Sequence, residues 1–234
     1  MNNCLVIIPA YNEEENIVRV VENLKNNYPM YDYVIINDGS SDDTARICRK
    51  KGYELVDLAV NLGLAGAFQT GLKYAWRKGY EYAIQFDADG QHRAEYIAPM
   101  LDKIREGYDI VIGSRFVTEK KPRSMRMLGS NLISVATRLT TGKKVKDPTS
   151  GMRMFNKKMI AEFALNLNYG PEPDTISYLL KQGATIAEVQ VSMDERIAGE
   201  SYLNLSKSVM YMLRMLLSIL FIQNFRKRRE VKVR

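Results

Sequence analysis

The chain has 234 residues, of which 46% are hydrophobic and 26% charged, which supplies one sizeable core and excludes a disordered polymer. The net charge is +7, yet Arg226 to Arg234 holds six basic residues and one acid and so accounts for +5 of it; that concentration argues against a nucleic-acid footprint spread over a folded face and for a tail that meets a phosphate-rich surface, a membrane first. Two cysteines, Cys4 and Cys48, match no metal spacing and exclude a disulfide scaffold.

In chain order, the run Leu5 to Ile8 is too short for the apolar core of an export signal and no basic residue precedes it, so a reducing cytoplasm is the expected compartment. A helix over Glu13 to Asn26 follows, with Asn12 as its expected cap and Glu13, Glu14 and Glu15 at the positive end of its dipole. Further strand and helix signals alternate: Val34 to Ile36 and Asp42 to Lys51, a helix from Gly66 to Lys78, Tyr82 to Phe86 and Ala94 to Arg105, then Asp109 to Ile112. Repeated strand-helix crossovers predict an α/β domain with a mainly parallel central sheet flanked by helices. After Ser114 a basic loop, a helix near Leu128 to Leu139 and a short segment around Gly151 to Phe155 read as acceptor-side structure of the same domain.

In such sheets ligands bind beyond the carboxyl ends of the strands, which directs attention to four loops: Pro9 to Asn12, Asn37 to Asp42, Asn61 to Gly66 and Asp87 to His92. The last has the sharpest chemistry. Asp87 and Asp89 stand one residue apart where a buried strand ends, and alternate residues of extended chain point the same way, so both carboxylates can face one cation. Hard oxygen ligands favour Mg²⁺ or Mn²⁺ bridging to substrate phosphates; the competing reading is an acidic turn closed by Gly90 at a positive φ. His92, the sole histidine, is given at most a supporting role. Asp38 can accept hydrogen bonds from a base or ribose, while Asp42 is better explained as the cap of the next helix. The glycines of Asn61 to Ala67 let backbone approach a ligand at a helix N-terminus but form no Walker or dinucleotide pattern.

Taken together, Ile8-Pro9-Ala10-Tyr11-Asn12-Glu13, Asn37 to Asp42, Asn61-Leu62-Gly63, Asp87 to His92, Gly113-Ser114-Arg115-Phe116 and Asp147 to Arg153 resemble, in order, the family-two glycosyltransferases of GT-A (Rossmann-like) fold, including polyprenyl-phosphate glycosyltransferases. The resemblance covers roughly residues 5–201. It implies that Pro9, Tyr11, Glu13, Asp38, Gly63, Asp87 and Ala88 line the donor nucleotide pocket. Asp87 and Asp89, with Gln91 nearby, would hold the metal. Arg115 and Arg126 would approach a lipid phosphate, Arg153 would be another phosphate-side group, and Arg196 and Ser201 would belong to a late loop folding over donor and acceptor. Glu172-Pro173-Asp174 resembles the element that supplies a base, with Asp174 the first candidate and helix capping its competing role. Lys120, Lys121 and Arg123 are read as solvated loop residues.

Several relatives continue into membrane-spanning helices. Here Val209 to Ile222 is interrupted by Arg214 and spans ~21 Å as a helix against a hydrocarbon core of ~30 Å. Lys207, Tyr211, Arg214 and Ser218 fall on one stripe of that helix, the rest of its surface being Met, Leu, Ile and Phe. The expectation is a catalytic domain over residues 1–204, then an amphipathic helix and basic tail over 205–234 lying in the membrane interface on the inner face of the cell membrane. Packing on the core or on a second subunit is the alternative, and a small membrane-protein partner is worth asking for.

The expected reaction is inverting transfer of a sugar from a nucleotide-diphosphate donor, UDP favoured, to a polyprenyl phosphate such as undecaprenyl phosphate. A saccharide hydroxyl acceptor is the main alternative, and it would make a base indispensable. A nucleotidyltransferase would release pyrophosphate instead of nucleoside diphosphate, and a binding module would bind donor without turnover.

Overall fold

The computed structural model describes residues 3–122, 124–166, 170–194 and 205–225. Seven strands make one sheet in the order β3-β2-β1-β4-β6-β5-β7. They are β1 (Cys4–Ala10), β2 (Asp32–Asn37), β3 (Leu55–Asp57), β4 (Tyr82–Gln85), β5 (Ile110–Ser114), β6 (Arg153–Asn156) and β7 (Ile186–Gln190). Every pairing is parallel except those of β6, which runs antiparallel between β4 and β5. This is the mainly parallel sheet expected. The antiparallel insertion carries the residues before β6 back to the edge at which β4 and β5 end.

Among the described residues there are eight α-helices: α1 (Ile17–Asn27), α2 (Thr44–Lys51), α3 (Gly63–Lys78), α4 (Ile97–Arg105), α5 (Met125–Thr141), α6 (Lys157–Ala161), α7 (Pro173–Lys181) and α8 (Leu205–Leu220). One sheet face packs against α1 and α4 through residues such as Val6, Ile8, Ile17 and Leu101, and the other against α3, α6 and α7 through Leu5, Ile7, Phe68 and Phe155. Two faces covered by helices explain why β1 reads CLVIIPA, with every residue buried: a strand enclosed on both sides shows no polar alternation. Gly71 sits where α3 crosses β1, and a Cβ there would overlap the side chain of Ile7, which is 0% exposed.

The first helix departs from expectation. It begins at Ile17, after a turn, and Asn12 does not cap it. Asn12 instead adopts φ 55°, accepts from the Ser41 amide at 2.9 Å and donates its own amide to Ser40 Oγ at 3.0 Å. A cross-loop pair of hydrogen bonds has won over the local cap. Asp42 does serve the start of α2, accepting from the Thr44 amide at 3.0 Å. The short strands β3 and β7 carry no strong pattern in the sequence. The sequence gives no cue to the antiparallel sense of β6.

The C-terminal helix packs on the core through one side, the alternative reading of that segment. Of the polar stripe, Ser218 is 4% exposed and Tyr211 is partly buried, whereas Arg214 is exposed; Met215 and Ile219 pack on Ile133 and Ala136 of α5. The apolar side chains Leu213, Leu217 and Phe221 are exposed too. Among the described residues no helix is long and apolar enough to cross a membrane. The basic tail lies outside the described residues.

The contact of α3 with β1 is testable. Gly71→Val forces a branched side chain into the space of Ile7 and should cost roughly 1–3 kcal/mol of stability, read as a lowered thermal unfolding midpoint. An unchanged midpoint would mean that α3 does not seat on β1 as described.

Candidate active site

The parallel strands deliver their loops to one edge, and buried side chains tie those loops to one another. Asp38, 3% exposed, follows β2 and accepts the Leu62 amide at 2.7 Å. Gly39 takes φ 66°, and a Cβ there would stand 2.8 Å from the Asn61 nitrogen, so two backbones meet at that point. Pro9 is buried at the end of β1, Tyr11 is exposed, and Glu13 holds Asn16 Nδ2 at 2.8 Å. Gly63 opens α3 at φ 76° with no side-chain cap on the helix. The donor-side residues named from sequence therefore lie on adjoining loops, with Asp38 bracing one of them.

The Asp87 to His92 loop is held from within. Gln85 Nε2 donates to Asp87 Oδ1 at 2.9 Å, and the Gln91 amide donates to Asp89 Oδ1 at 3.0 Å. The Asp87 amide donates to His92 Nδ1 at 2.9 Å, so Nε2 carries the proton of the neutral ring and points toward Asp87 Oδ2, 3.6 Å away. His92 is buried and meets the Phe86 ring edge-on. It fixes the loop, a larger part than its type suggests. Gly90 has φ 78°, as the acidic-turn reading requires, and a Cβ there would run into the guanidinium of Arg19, a cation that sequence reasoning did not place here. Ala88 is 2% exposed. Gln91 sends its side-chain amide to the Asp194 carbonyl at 3.3 Å, tying the loop to the segment after β7.

The donor set fits a hard divalent cation. Two carboxylates are oriented by hydrogen bonds at one loop, and Gly151 leaves open the space beside Asp87 Oδ2, where a Cβ would approach to 2.8 Å. Among the described residues no group of three or more His, Cys, Asp or Glu gathers. Two carboxylates with the remaining positions left to water and substrate phosphate is the way Mg²⁺ is usually held.

The arginines divide. Arg115 is committed to the protein: its Nε and Nη2 donate to the two oxygens of Asp147 at 2.8 and 2.9 Å, and Asp147 is 0% exposed. The Asp147 amide in turn donates to Glu188 of β7 at 2.9 Å. Arg153 is 5% exposed and its guanidinium donates to the Pro148 carbonyl at 2.9 Å and to the Pro171 carbonyl. Burial pushes its pKa down. Arg153, expected as a phosphate-side group, is buried, and its Nε is unpaired. Lys121, read from sequence as solvated, is part-buried beside Phe116, donates to Ser130 Oγ at 3.2 Å, and has its pKa lowered by burial. The side chain of Arg126, and Arg196 and Ser201 altogether, lie outside the described residues.

A cavity of about 380 Å³ opens between the first turn of α3, residues 170–175 and α8. Its wall holds Glu172 and Asp174. Asp174 is 6% exposed and already engaged, accepting the Thr175 amide at 2.8 Å and the Ser218 hydroxyl at 2.6 Å, while its carbonyl takes Gln223 Nε2. Among the described residues no donor reaches the Glu172 carboxylate. Burial first, then the charge of Asp174, pushes its pKa up, against the pull of Arg214 and Arg153. Asp174 thus acts as a brace between α7 and α8, and Glu172 is the carboxylate left to the cavity.

Comparison with known proteins agrees with this layout. The sequence model of Glycosyl transferase family 2 matches residues 5–163. An undecaprenyl-phosphate mannosyltransferase of Micrococcus luteus is 30% identical over 84% of this chain and 86% of its own. A UDP-N-acetylglucosamine–dolichyl-phosphate N-acetylglucosaminyltransferase of Methanococcus voltae is 33% identical over 80% of this chain and 83% of its own. Among solved structures, glucosyl-3-phosphoglycerate synthase of Mycobacterium tuberculosis, crystallised with Mn²⁺, UDP and phosphoglyceric acid, superposes with TM-score 0.70 at 19% identity over 93% of this chain and 78% of that one. The likeness establishes the GT-A fold.

The position of Glu172 has a consequence for stability. A carboxyl whose pKa is raised on folding contributes stability that is complete below its unfolded value and is lost as pH rises through the folded one. Glu172→Gln should therefore raise the unfolding midpoint relative to the parent near pH 7, and the gain should vanish by about pH 4. A difference independent of pH would contradict the burial of an ionisable Glu172.

Proposed function

The chain belongs to glycosyl transferase family 2, and from that premise we propose that it transfers a sugar from a nucleoside-diphosphate donor, a UDP-sugar in first place, to a polyprenyl phosphate such as undecaprenyl phosphate. The observation that carries the reading is the Asp87 and Asp89 pair, fixed by Gln85, Gln91 and His92 at the end of β4 between the nucleotide-side loops and the Arg115–Asp147 pair. Relatives whose names specify polyprenyl phosphates support the acceptor class.

Asp87 and Asp89 would hold Mg²⁺ or Mn²⁺, which when bound neutralises negative charge developing on the departing diphosphate. The chain's own part is positional. Asp38 and Gly39 bring the second and third loops together beneath the nucleotide, and at the start of α3, where Asp38 and Asn61 take the Leu62 and Gly63 amides, the amides that follow face negative charge. Arg115, held in plane by Asp147, and Lys121, part-buried beside it, set positive charge on the acceptor side. A phosphate oxygen attacks the anomeric carbon of the sugar, forms the new C–O bond as the bond to the diphosphate breaks, and inverts that carbon. An acceptor already ionised needs no strong base, so Asp174 is free to brace α8.

The acceptor is a lipid, and the structure has a surface suited to it. Leu128, Leu132, Val135 and Leu139 of α5 recur at helical spacing and are all exposed, and on α8, which packs against α5, Leu213 and Leu217 are exposed too, as is Phe221 just past its end. Apolar stripes on two adjacent helices are a feature of interaction surfaces, and a basic tail after α8 suits anionic lipid. We take residues 205–234 as the membrane-facing part of the protein, seated on the inner leaflet beside the catalytic domain of residues 1–204, together with the outer face of α5.

Two measurements check this. Nucleoside diphosphate release should require both divalent metal and a short polyprenyl phosphate, and Asp89→Ala should reduce it about 10²-fold or more; release with a saccharide acceptor alone would sink the lipid reading. Leu132→Gln with Leu217→Gln should abolish co-sedimentation with anionic vesicles and leave turnover of a detergent-dispersed acceptor intact, whereas undiminished vesicle binding would remove this face from the membrane.

A further inference from the structure

Arg19 of α1 reaches across to the loop that carries Asp87 and Asp89. Gly90 is buried, and the side chain lying against it is that of Arg19. A Cβ on Gly90 would fall 2.8 Å from the Arg19 Cζ and 2.9 Å from its Nη1, so the guanidinium occupies the space that a side chain there would take. Gly90 has φ 78°, a conformation that glycine adopts without strain but does not hold by itself, since it enters others as readily. Among the described residues Arg19 makes no ion pair with a carboxylate; its Nη2 donates to Asn16 Oδ1 at 3.4 Å.

Gly90 is the middle of a turn. The Gln91 amide donates to Asp89 Oδ1 at 3.0 Å, closing the turn over Gly90, so the direction of the Asp89 carboxylate depends on the backbone at Gly90. The bonds from Gln85 and His92 steady Asp87 and do not reach Gly90. Arg19 in turn stands on a fixed base. Asn16 is 2% exposed and donates through Nδ2 to Glu13 at 2.8 Å, and buried Ile17 and Val20 anchor this turn of α1 in the core. A chain of contacts thus runs from Glu13, through Asn16 and Arg19, to the turn that aims Asp89.

Resting on the glycosyl-transfer reading, we propose that Arg19 is a positioning residue for the metal site: its guanidinium, laid on Gly90, holds the Asp89 carboxylate in the direction that a divalent cation requires. Charge and position make opposite demands here. A cation beside two carboxylates repels Mn²⁺, so if charge were its main effect, removing Arg19 would tighten the metal. A turn with glycine at its centre must be ordered before it can bind, so if position is the main effect, removing Arg19 weakens the metal. The contact with Gly90 predicts weakening.

The test is titration of the full chain with Mn²⁺ at saturating UDP, free Mn²⁺ being read by electron paramagnetic resonance, with UDP affinity in EDTA as the control. Arg19→Ala should weaken Mn²⁺ about 3- to 10-fold and leave the metal-free UDP affinity and the thermal unfolding midpoint unchanged. Arg19→Lys, which keeps the charge and loses the planar group, should also bind Mn²⁺ more weakly than the parent. Gly90→Ala should weaken Mn²⁺ because its methyl displaces the guanidinium, and should cost less in the Arg19→Ala background than in the parent. Mn²⁺ binding that is unchanged or tighter in Arg19→Ala, an equal loss of metal-free UDP affinity, or a Gly90→Ala effect of the same size in both backgrounds would overturn the role given to Arg19 and leave the transferase reading standing. A parent that bound no Mn²⁺ even with UDP would overturn the reading of Asp87 and Asp89 as the donor's metal site, and the role of Arg19 with it.

Discussion

A parallel sheet collects its loops at one edge but supplies no hydrogen bonds to hold them there, and in this protein buried carboxylates do that work. Asp38 takes the Leu62 amide, Asp147 takes the Arg115 guanidinium, and Asp174 takes the Ser218 hydroxyl. Each is under 9% exposed. A buried carboxylate without donors would be costly, so each forces its loop into one arrangement. The donor loops, the acceptor-side basic pair and α8 are thereby referenced to one rigid frame, on which the spacing of Asp87 and Asp89 from everything else depends.

Helix α8 is the element on which these constraints converge. It packs on α5 through Met215 and Ile219, lines the cavity beside residues 170–175 with Arg214 and Ser218, and exposes Leu213 and Leu217. Three faces of one helix meet core, cavity and surroundings. Displacing α8 would break the Ser218 to Asp174 bond and open the cavity together.

Much of this was legible in the sequence because local signals agreed with the fold. Alternating β-branched runs and helical periods gave the parallel sheet, and six short blocks in order gave the family. Where reading failed, distant partners decided. Asn12 looks like a helix cap, but the Ser40 and Ser41 loop, far along the chain, captures it. Nothing local to Arg153 foretells its burial, which the carbonyls of Pro148 and Pro171 make possible by accepting from its guanidinium. The polar stripe of α8 has the expected period, but Ser218 and Tyr211 meet the core while Arg214 stays exposed, since periodicity reports that faces differ and not which one meets the core. Neither Arg19 over Gly90 nor the inward turn of Lys121 has any local signature.

The account rests on a single displacement by an acceptor phosphate, and the bond it creates is the most direct evidence to seek. Purified full-length protein would be incubated with an anomerically defined nucleotide sugar and a short polyprenyl phosphate, and the lipid product examined by phosphorus and proton NMR. A sugar–phosphate–lipid phosphodiester with the anomeric configuration opposite to that of the donor is the predicted result. A sugar joined to a hydroxyl, or a phosphodiester with the donor's configuration retained, would contradict it.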